Sequence, residues 1–243
     1  MAASYAAMTD PLPQTPAASP GGPVPVRVVE LVAEADDPRE DPAELTPALD
    51  AANPGEVLVQ LRRTTPRVTV GSGLARRPGL LEAVSVLPGS PRVTTTTAGG
   101  TFVVGGPGWL ALSAVGRPPA GRVLPLDWML GALRDWFTER LAAAAIPPPR
   151  AGRVDGAWCP GFSDLAVGGR KLVGLGFRVT RERVLARGTI AVSRISEADL
   201  SLLQGCHLLL DLEVRRESCT SLEELDGGTS WTADGAESLL AGP

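Results

Sequence analysis

Lysine is nearly absent from this 243-residue chain. Among 23 Lys plus Arg residues only Lys171 is a lysine, and His207 is the only histidine. Cysteine is sparse too. Cys159, Cys206 and Cys219 form an odd set without CxxC spacing, which argues against a disulfide framework or a zinc site and fits a reducing, cytoplasmic setting. No apolar run approaches the length of a membrane span, so a soluble protein without a membrane partner is expected. The opening MAASYAAMTD has no basic region ahead of an apolar stretch and does not read as a secretory signal. A formal charge of −4 gives no reason to expect a nucleic-acid partner.

What remains is a globular composition, 44% apolar, of a length that suits one α/β domain with tails. The wealth of Ala, Arg, Pro and Gly reads as a bias towards GC-rich codons, under which arginine replaces surface lysine at little cost. Arginine cannot replace a lysine used for chemistry, because only the compact ammonium has a pKa that its surroundings move readily. Lys171, the one position where the drift did not happen, is therefore a candidate functional residue.

Residues 1–24, rich in Pro, Ala, Ser and Gly, read as a disordered tail. Strands are expected at 26–32, 56–61, 67–70, 93–97, 101–104, 109–115, 165–167, 171–179 and 188–192, with glycine-rich turns between several of them. Leu126, Met129, Leu130, Leu133, Trp136, Phe137 and Leu141 share one helical stripe over 126–145, a packing face that Pro147-Pro148-Pro149 terminates. Gly168-Gly169 reads as a two-residue hairpin turn. Short helices are expected at 196–203, capped by Ser196, and at 221–225. From Gly227 to Pro243 the chain reads as a frayed acidic tail. These elements predict an α+β domain over residues 25–226, a mixed, largely antiparallel sheet flanked by helices.

Three segments can carry chemistry. Ala98-Gly99-Gly100-Thr101 through Gly105-Gly106-Pro107-Gly108 is dense in glycine, which lets a ligand lie against the backbone or simply makes a hairpin with glycine turns. It lacks the phosphate-loop pattern. Gly169-Arg170-Lys171-Leu172-Val173-Gly174-Leu175-Gly176-Phe177-Arg178-Val179 sets Lys171 just beyond a turn. Arg187-Gly188-Thr189-Ile190-Ala191-Val192 is followed by Gly205-Cys206-His207.

The second and third segments resemble the octanoyltransferases, whose motifs are G-x-K-I-A-x-L-G-x-R-V, then H-G-x-A-L-N-V, then a cysteine in P-C-G. Cys219-Thr220-Ser221-Leu222-Glu223-Glu224-Leu225 and Gly99-Gly100…Gly106-Pro107-Gly108 resemble two further stretches of that family, so the likeness runs from about 56 to 226. Trp158-Cys159-Pro160-Gly161-Phe162-Ser163-Asp164-Leu165 leading into Lys171 resembles a sister branch, the lipoate–protein ligases and their cysteine-dependent relatives. Both branches agree on Lys171 and differ on the cysteine, Cys206 or Cys159. The chain departs from the family at Ala98, Val104-Gly105 and Arg187, where the family has arginine, Tyr-His and histidine.

The resemblance implies the biotin/lipoate protein ligase fold and transfer of an octanoyl or lipoyl group to a lysine of a lipoyl-domain protein, through a thioester on Cys206 or, alternatively, Cys159. The donor is acyl carrier protein or free lipoate or octanoate. No cofactor or metal is implied, ATP entering only for a ligase; a catalytically inactive homologue that binds an acyl chain or a lipoyl domain is the remaining reading. Substrate contacts fall on Gly99, Gly100, Gly105, Gly174, Leu175, Gly176, Gly188, Thr189 and Ile190. A free cysteine, with a pKa of about 8.5, is only about 3% thiolate at pH 7, and Lys171 is expected to raise that fraction. Cys206 also suits plain core packing ahead of the apolar 208–210 run, and His207 points away from it if the segment is a strand. Arg170, Arg178, Arg181, Arg183 and Arg187 either receive an acidic partner or form a solvated face.

Overall fold

The computed structural model describes residues 24–28, 53–89, 92–96, 100–121, 124–181 and 183–242. The expected tail at 1–24 lies almost wholly outside them, as does Gly99. Among the described residues, two sheets organise the fold. The larger has seven strands in the order β1-β2-β6-β10-β9-β8-β7: β1 Val26–Val28, β2 Val57–Arg63, β6 Trp109–Gly116, β7 Arg150–Ala151, β8 Leu165–Val167, β9 Arg170–Val179 and β10 Val184–Ala191. All its pairings are antiparallel except β1 with β2. The smaller has β3 Arg67–Gly71 between β4 Arg92–Thr96, parallel to it, and β5 Phe102–Gly105, antiparallel. This is the expected α+β architecture.

Six α-helices flank the sheets among the described residues: α1 Ser72–Ala75, α2 Leu80–Ser85, α3 Pro125–Ala142, α4 Glu197–Leu208, α5 Leu222–Leu225 and α6 Ala233–Ala241. Helix α3 starts with proline in its first turn, where the missing N–H is no loss. Its stripe of Trp128, Met129, Ala132, Leu133, Trp136, Phe137 and Leu141 is buried. It covers the sheet face carrying Val57, Val59, Leu61, Leu110, Leu112, Ala114 and Ile190. A second core, with Val68, Val70, Phe102, Trp109, Trp158, Leu203 and Cys206, joins the small sheet to α4.

Two expectations need correction. The stretch from Gly227 is not frayed. Helix α6, capped by Thr232, buries Ala236 and Leu240 completely in the α3 core. Its Asp234 and Glu237 pair with Arg63 of β2. The amphipathic spacing of Ala236, Leu239 and Leu240 outweighs the polar, glycine-bearing composition. The helix beginning after Ser196 also runs past 203 to Leu208, because Leu200, Leu203, Cys206 and His207 continue its buried face through Gly205.

Candidate functional site

Register assigns the faces of the large sheet. Arg62, Ala111, Thr189 and Gly174 lie directly opposite one another across β2, β6, β10 and β9, and Gln60, Ser113, Arg187 and Gly176 form the next row. Both rows face away from α3. The small sheet turns Arg67, Thr69, Val103 and Gly105 towards them, since Val68 and Val70 alternate into the second core. Between the sheets lies a cleft of about 80 Å³, bordered also by Thr64, Thr96, Leu175, Gly188 and Cys159. Thr64, at the crossing from one sheet to the other, holds the walls together. Its hydroxyl donates to Gly106 O and Trp109 O (3.1 and 3.3 Å) and accepts from Gly106 N–H (2.8 Å).

Most of the expected contact residues meet at this cleft. Gly105, Gly174, Leu175, Gly176, Gly188 and Thr189 border it. Gly100 sits beside Cys159 at φ +119°, and a Cβ there would come within 2.9 Å of the Cys159 sulfur. Ile190 does not take part: strand alternation turns it into the α3 core, where it is fully buried. Of the five arginines read as one basic face, only Arg187 borders the cleft; Arg170 pairs with Glu224 on the surface.

The three cysteines separate clearly. Cys206 is fully buried on α4 in the second core, and burial pushes its thiol up to about 12. A thiol so placed is a packing group, so the expected nucleophile at Cys206 is corrected. Cys219 is buried as well, its thiol donating to Arg215 O (3.3 Å) and raised to about 11, chiefly by burial. Cys159 alone is half-buried and borders the cleft. Its backbone is left-handed, φ +43°, a conformation that costs an L-residue roughly 1–2 kcal/mol. Its sulfur accepts a hydrogen bond from Thr101 N–H at 3.0 Å.

Lys171 is at the site but not in the cleft. Strand β9 carries one extra residue at Leu172: Leu165 faces Val173 while Ala166 faces Lys171. This bulge turns Lys171 onto the face of Gly174, two rows of which line the cleft. A Cβ on Gly174 would meet Lys171 Cε and Nζ at 3.0 Å, so the lysine crosses its strand over that glycine. The side chain is 0% exposed. Its ammonium donates to Trp158 O (2.6 Å) and Cys159 O (2.9 Å) and pairs ionically with Asp164 Oδ1 at 2.8 Å, 5.0 Å above the Trp158 ring. Burial raises the Asp164 carboxyl above the usual carboxylate range, and the Lys171 charge pulls it back. Asp164 Oδ2 accepts from Gly161 N–H (3.0 Å), closing the 158–164 loop on itself.

His207, set aside in the sequence, holds the same loop from the other side. Its Nδ1 lies 2.7 Å from Leu203 O, which assigns the ring proton to Nδ1. Nε2 then accepts from Cys159 N–H (2.8 Å) and from the Thr101 hydroxyl (3.1 Å). Desolvation lowers its pKa to about 4, so the ring is neutral at pH 7. Because α4 is a helix, His207 and Cys206 project about 100° apart. No strand alternation applies, and only the histidine reaches the Cys159 loop. Among the described residues no group of three or more His, Cys, Asp or Glu is placed to hold a metal ion, and no helix is long and apolar enough to cross a membrane.

No protein-family model matches the sequence, and no curated protein sequence matches it. Solved structures do. A lipoate–protein ligase A bound with ATP superposes with a TM-score of 0.64 at 16% identity, over 89% of this chain and 82% of that one. A bi-partite lipoate protein ligase from Thermoplasma acidophilum, studied with its E2 lipoyl domain, gives 0.59 at 14% identity over 89% and 81%. A T. acidophilum structure holding lipoic acid gives 0.57 at 15% over 76% and 69%. The chain therefore has the fold of the lipoate–protein ligases.

Proposed function

We propose that this protein transfers an octanoyl or lipoyl group from a thioester donor, such as an acyl carrier protein, to a lysine of a lipoyl-domain protein, through a thioester on Cys159. The observation that carries the reading is the position of Cys159, the one cysteine bordering the cleft between the sheets. Likeness in fold to lipoate–protein ligases, one of them studied with its lipoyl domain, supports the acyl group and the acceptor. In the first half-reaction the Cys159 thiolate attacks the donor carbonyl and expels the carrier thiolate, which takes up a proton. In the second the neutral amine of the acceptor lysine attacks the acyl-enzyme, an amide forms, the Cys159–acyl bond breaks, and the amine's proton passes to the departing sulfur. Enclosure of Lys171 by three oxygens weighs against its gripping an adenylate phosphate, and so against an ATP-dependent ligase.

Intact-mass spectrometry after incubation with octanoyl-carrier protein tests this. Wild type and Cys206→Ala should each gain one octanoyl group, and Cys159→Ala none. An unmodified wild type, or an adduct that persists in Cys159→Ala, would overturn the proposal; an adenylate formed on adding ATP and octanoate would support the ligase.

A further inference from the structure

The lysine shared by both family motifs is fully buried and does not border the cleft, and the two hydrogen bonds and one ion pair of its ammonium all go to the loop that carries Cys159. An ammonium has three donors, and here three oxygens meet it: the carbonyls of Trp158 and Cys159 and the carboxylate of Asp164. None of them belongs to a group that a substrate replaces, since two are backbone and the third is 1% exposed. The sulfur of Cys159 is not among the partners.

The loop itself is held out of its relaxed state. Cys159 has the left-handed backbone that a non-glycine residue adopts only under constraint. Its carbonyl is tied to Lys171 and its N–H to His207, so both flanking peptide groups are fixed from opposite sides. With the backbone pinned, the side chain sets its sulfur against Thr101 N–H at the edge of the cleft. Arginine ends in a broad planar guanidinium rather than a compact tip, which does not suit placing donors on two successive carbonyls inside this volume. That gives a physical reason for one lysine to stand where twenty-two other basic positions are arginine.

We infer that Lys171 is a positioning residue: paired with Asp164, its buried ammonium holds the carbonyls of Trp158 and Cys159 and so fixes the strained backbone that presents the Cys159 thiol to the cleft. Asp164 serves the same end one step back, by holding the ammonium and by closing the loop through Gly161 N–H. The inference rests on Cys159 being the nucleophile, and its test includes readouts that need no acyl donor.

Lys171→Met leaves the Asp164 charge buried without a partner and is a risk to folding, so the double variant Lys171→Met/Asp164→Leu, which removes both charges together, is made beside it. Thermal melts select the folded variants. Site-resolved alkylation of Cys159 by iodoacetamide and hydrogen exchange of the 158–164 peptide are then measured, along with kcat and KM for octanoyl-carrier protein. A released loop exposes the thiol while misplacing it. Alkylation and exchange should therefore rise, by about tenfold, while kcat falls by about 100-fold with KM within about threefold of wild type. Lys171→Arg should behave as the neutral variant does. Alkylation falling together with kcat would instead place the ammonium's action on the sulfur. A raised KM at constant kcat would place it on the donor. Unchanged alkylation and exchange in a folded variant would leave it no positioning role. Each of these results overturns the inference. If wild type accepts no acyl group, the proposed function fails alone, and alkylation and exchange still decide the clamp.

Discussion

A glycine three residues past Lys171 shows how closely the site depends on single atoms. The extra residue in β9 places Gly174 and Lys171 on one face, and Lys171 Cε and Nζ lie 3.0 Å from where a Cβ of residue 174 would go. The Trp158 indole nitrogen closes the other side at 3.4 Å. Gly174→Ala must therefore push an ammonium whose three partners leave it nowhere to move. We expect a loss of about 1–3 kcal/mol in urea unfolding, with faster alkylation of Cys159. A variant of wild-type stability and wild-type alkylation would contradict this packing. His207 supplies a second test through pH. Its folded pKa of about 4 lies below the ordinary 6.5 because burial disfavours the charged ring, with the nearby Lys171 charge acting in the same sense and the Leu203 carbonyl opposing. Below pH 6.5 the unfolded chain takes up a proton that the folded chain refuses. The stability contributed by the neutral ring is thus complete above pH 6.5 and lost as pH falls towards 4, by roughly 3 kcal/mol in all. His207→Gln, which still accepts from Cys159 N–H, should flatten that segment of the stability–pH curve; an unchanged slope would mean that other groups set it.

At the scale of elements, what the sequence made legible was whatever repeats. Apolar and β-branched runs between glycine and proline turns located most of the strands, though neither β7 nor the first half of β10, the 3.6-residue stripe located α3, and Gly168-Gly169, both at positive φ, marked the β8–β9 hairpin. Gly105, Gly174, Gly176, Gly188 and Thr189, picked out by the motif likeness, all border the cleft between the sheets. Choosing the cysteine was a different matter. Cys159 and Cys206 are separated by their depth and by what faces them, and neither is written in local spacing. Continuation of α4 past residue 203 was the available signal, since Leu200, Leu203 and Cys206 keep one buried helical face. The bulge at Leu172, which turns Lys171 towards Gly174, has no signature in composition at all. The C-terminal helix was misread for the opposite reason: its polar, glycine-bearing flanks hid an apolar pair. Leu240 is fully buried against α3, so Leu240→Ala should cost about 2–4 kcal/mol in urea unfolding. A change below 0.5 kcal/mol, within the ~±0.5 expected for surface positions, would restore the frayed tail.

The described residues form two sheets whose facing sides are kept apart by small and polar residues and whose outer sides are each covered by an apolar core. That division separates stability from ligand access, and two substitutions can show it. Thr64 joins the walls through three hydrogen bonds to Gly106 and Trp109 and is 8% exposed. Thr64→Val keeps the shape and removes the acceptor of the buried Gly106 N–H, while Gly106 O keeps its bond from Trp109 N–H. The change should cost about 1–3 kcal/mol. Ala111 stands in the row between Arg62 and Thr189 on the cleft side and bonds to nothing through its methyl group. Ala111→Leu adds volume to the cleft and removes no hydrogen bond, so its urea midpoint should stay near wild type. It should nevertheless abolish the octanoyl adduct on Cys159, while alkylation by the smaller iodoacetamide continues. An Ala111→Leu protein that still takes the octanoyl group at the wild-type rate would mean that the chain enters elsewhere, and the cleft between the sheets would lose its claim to the acyl group.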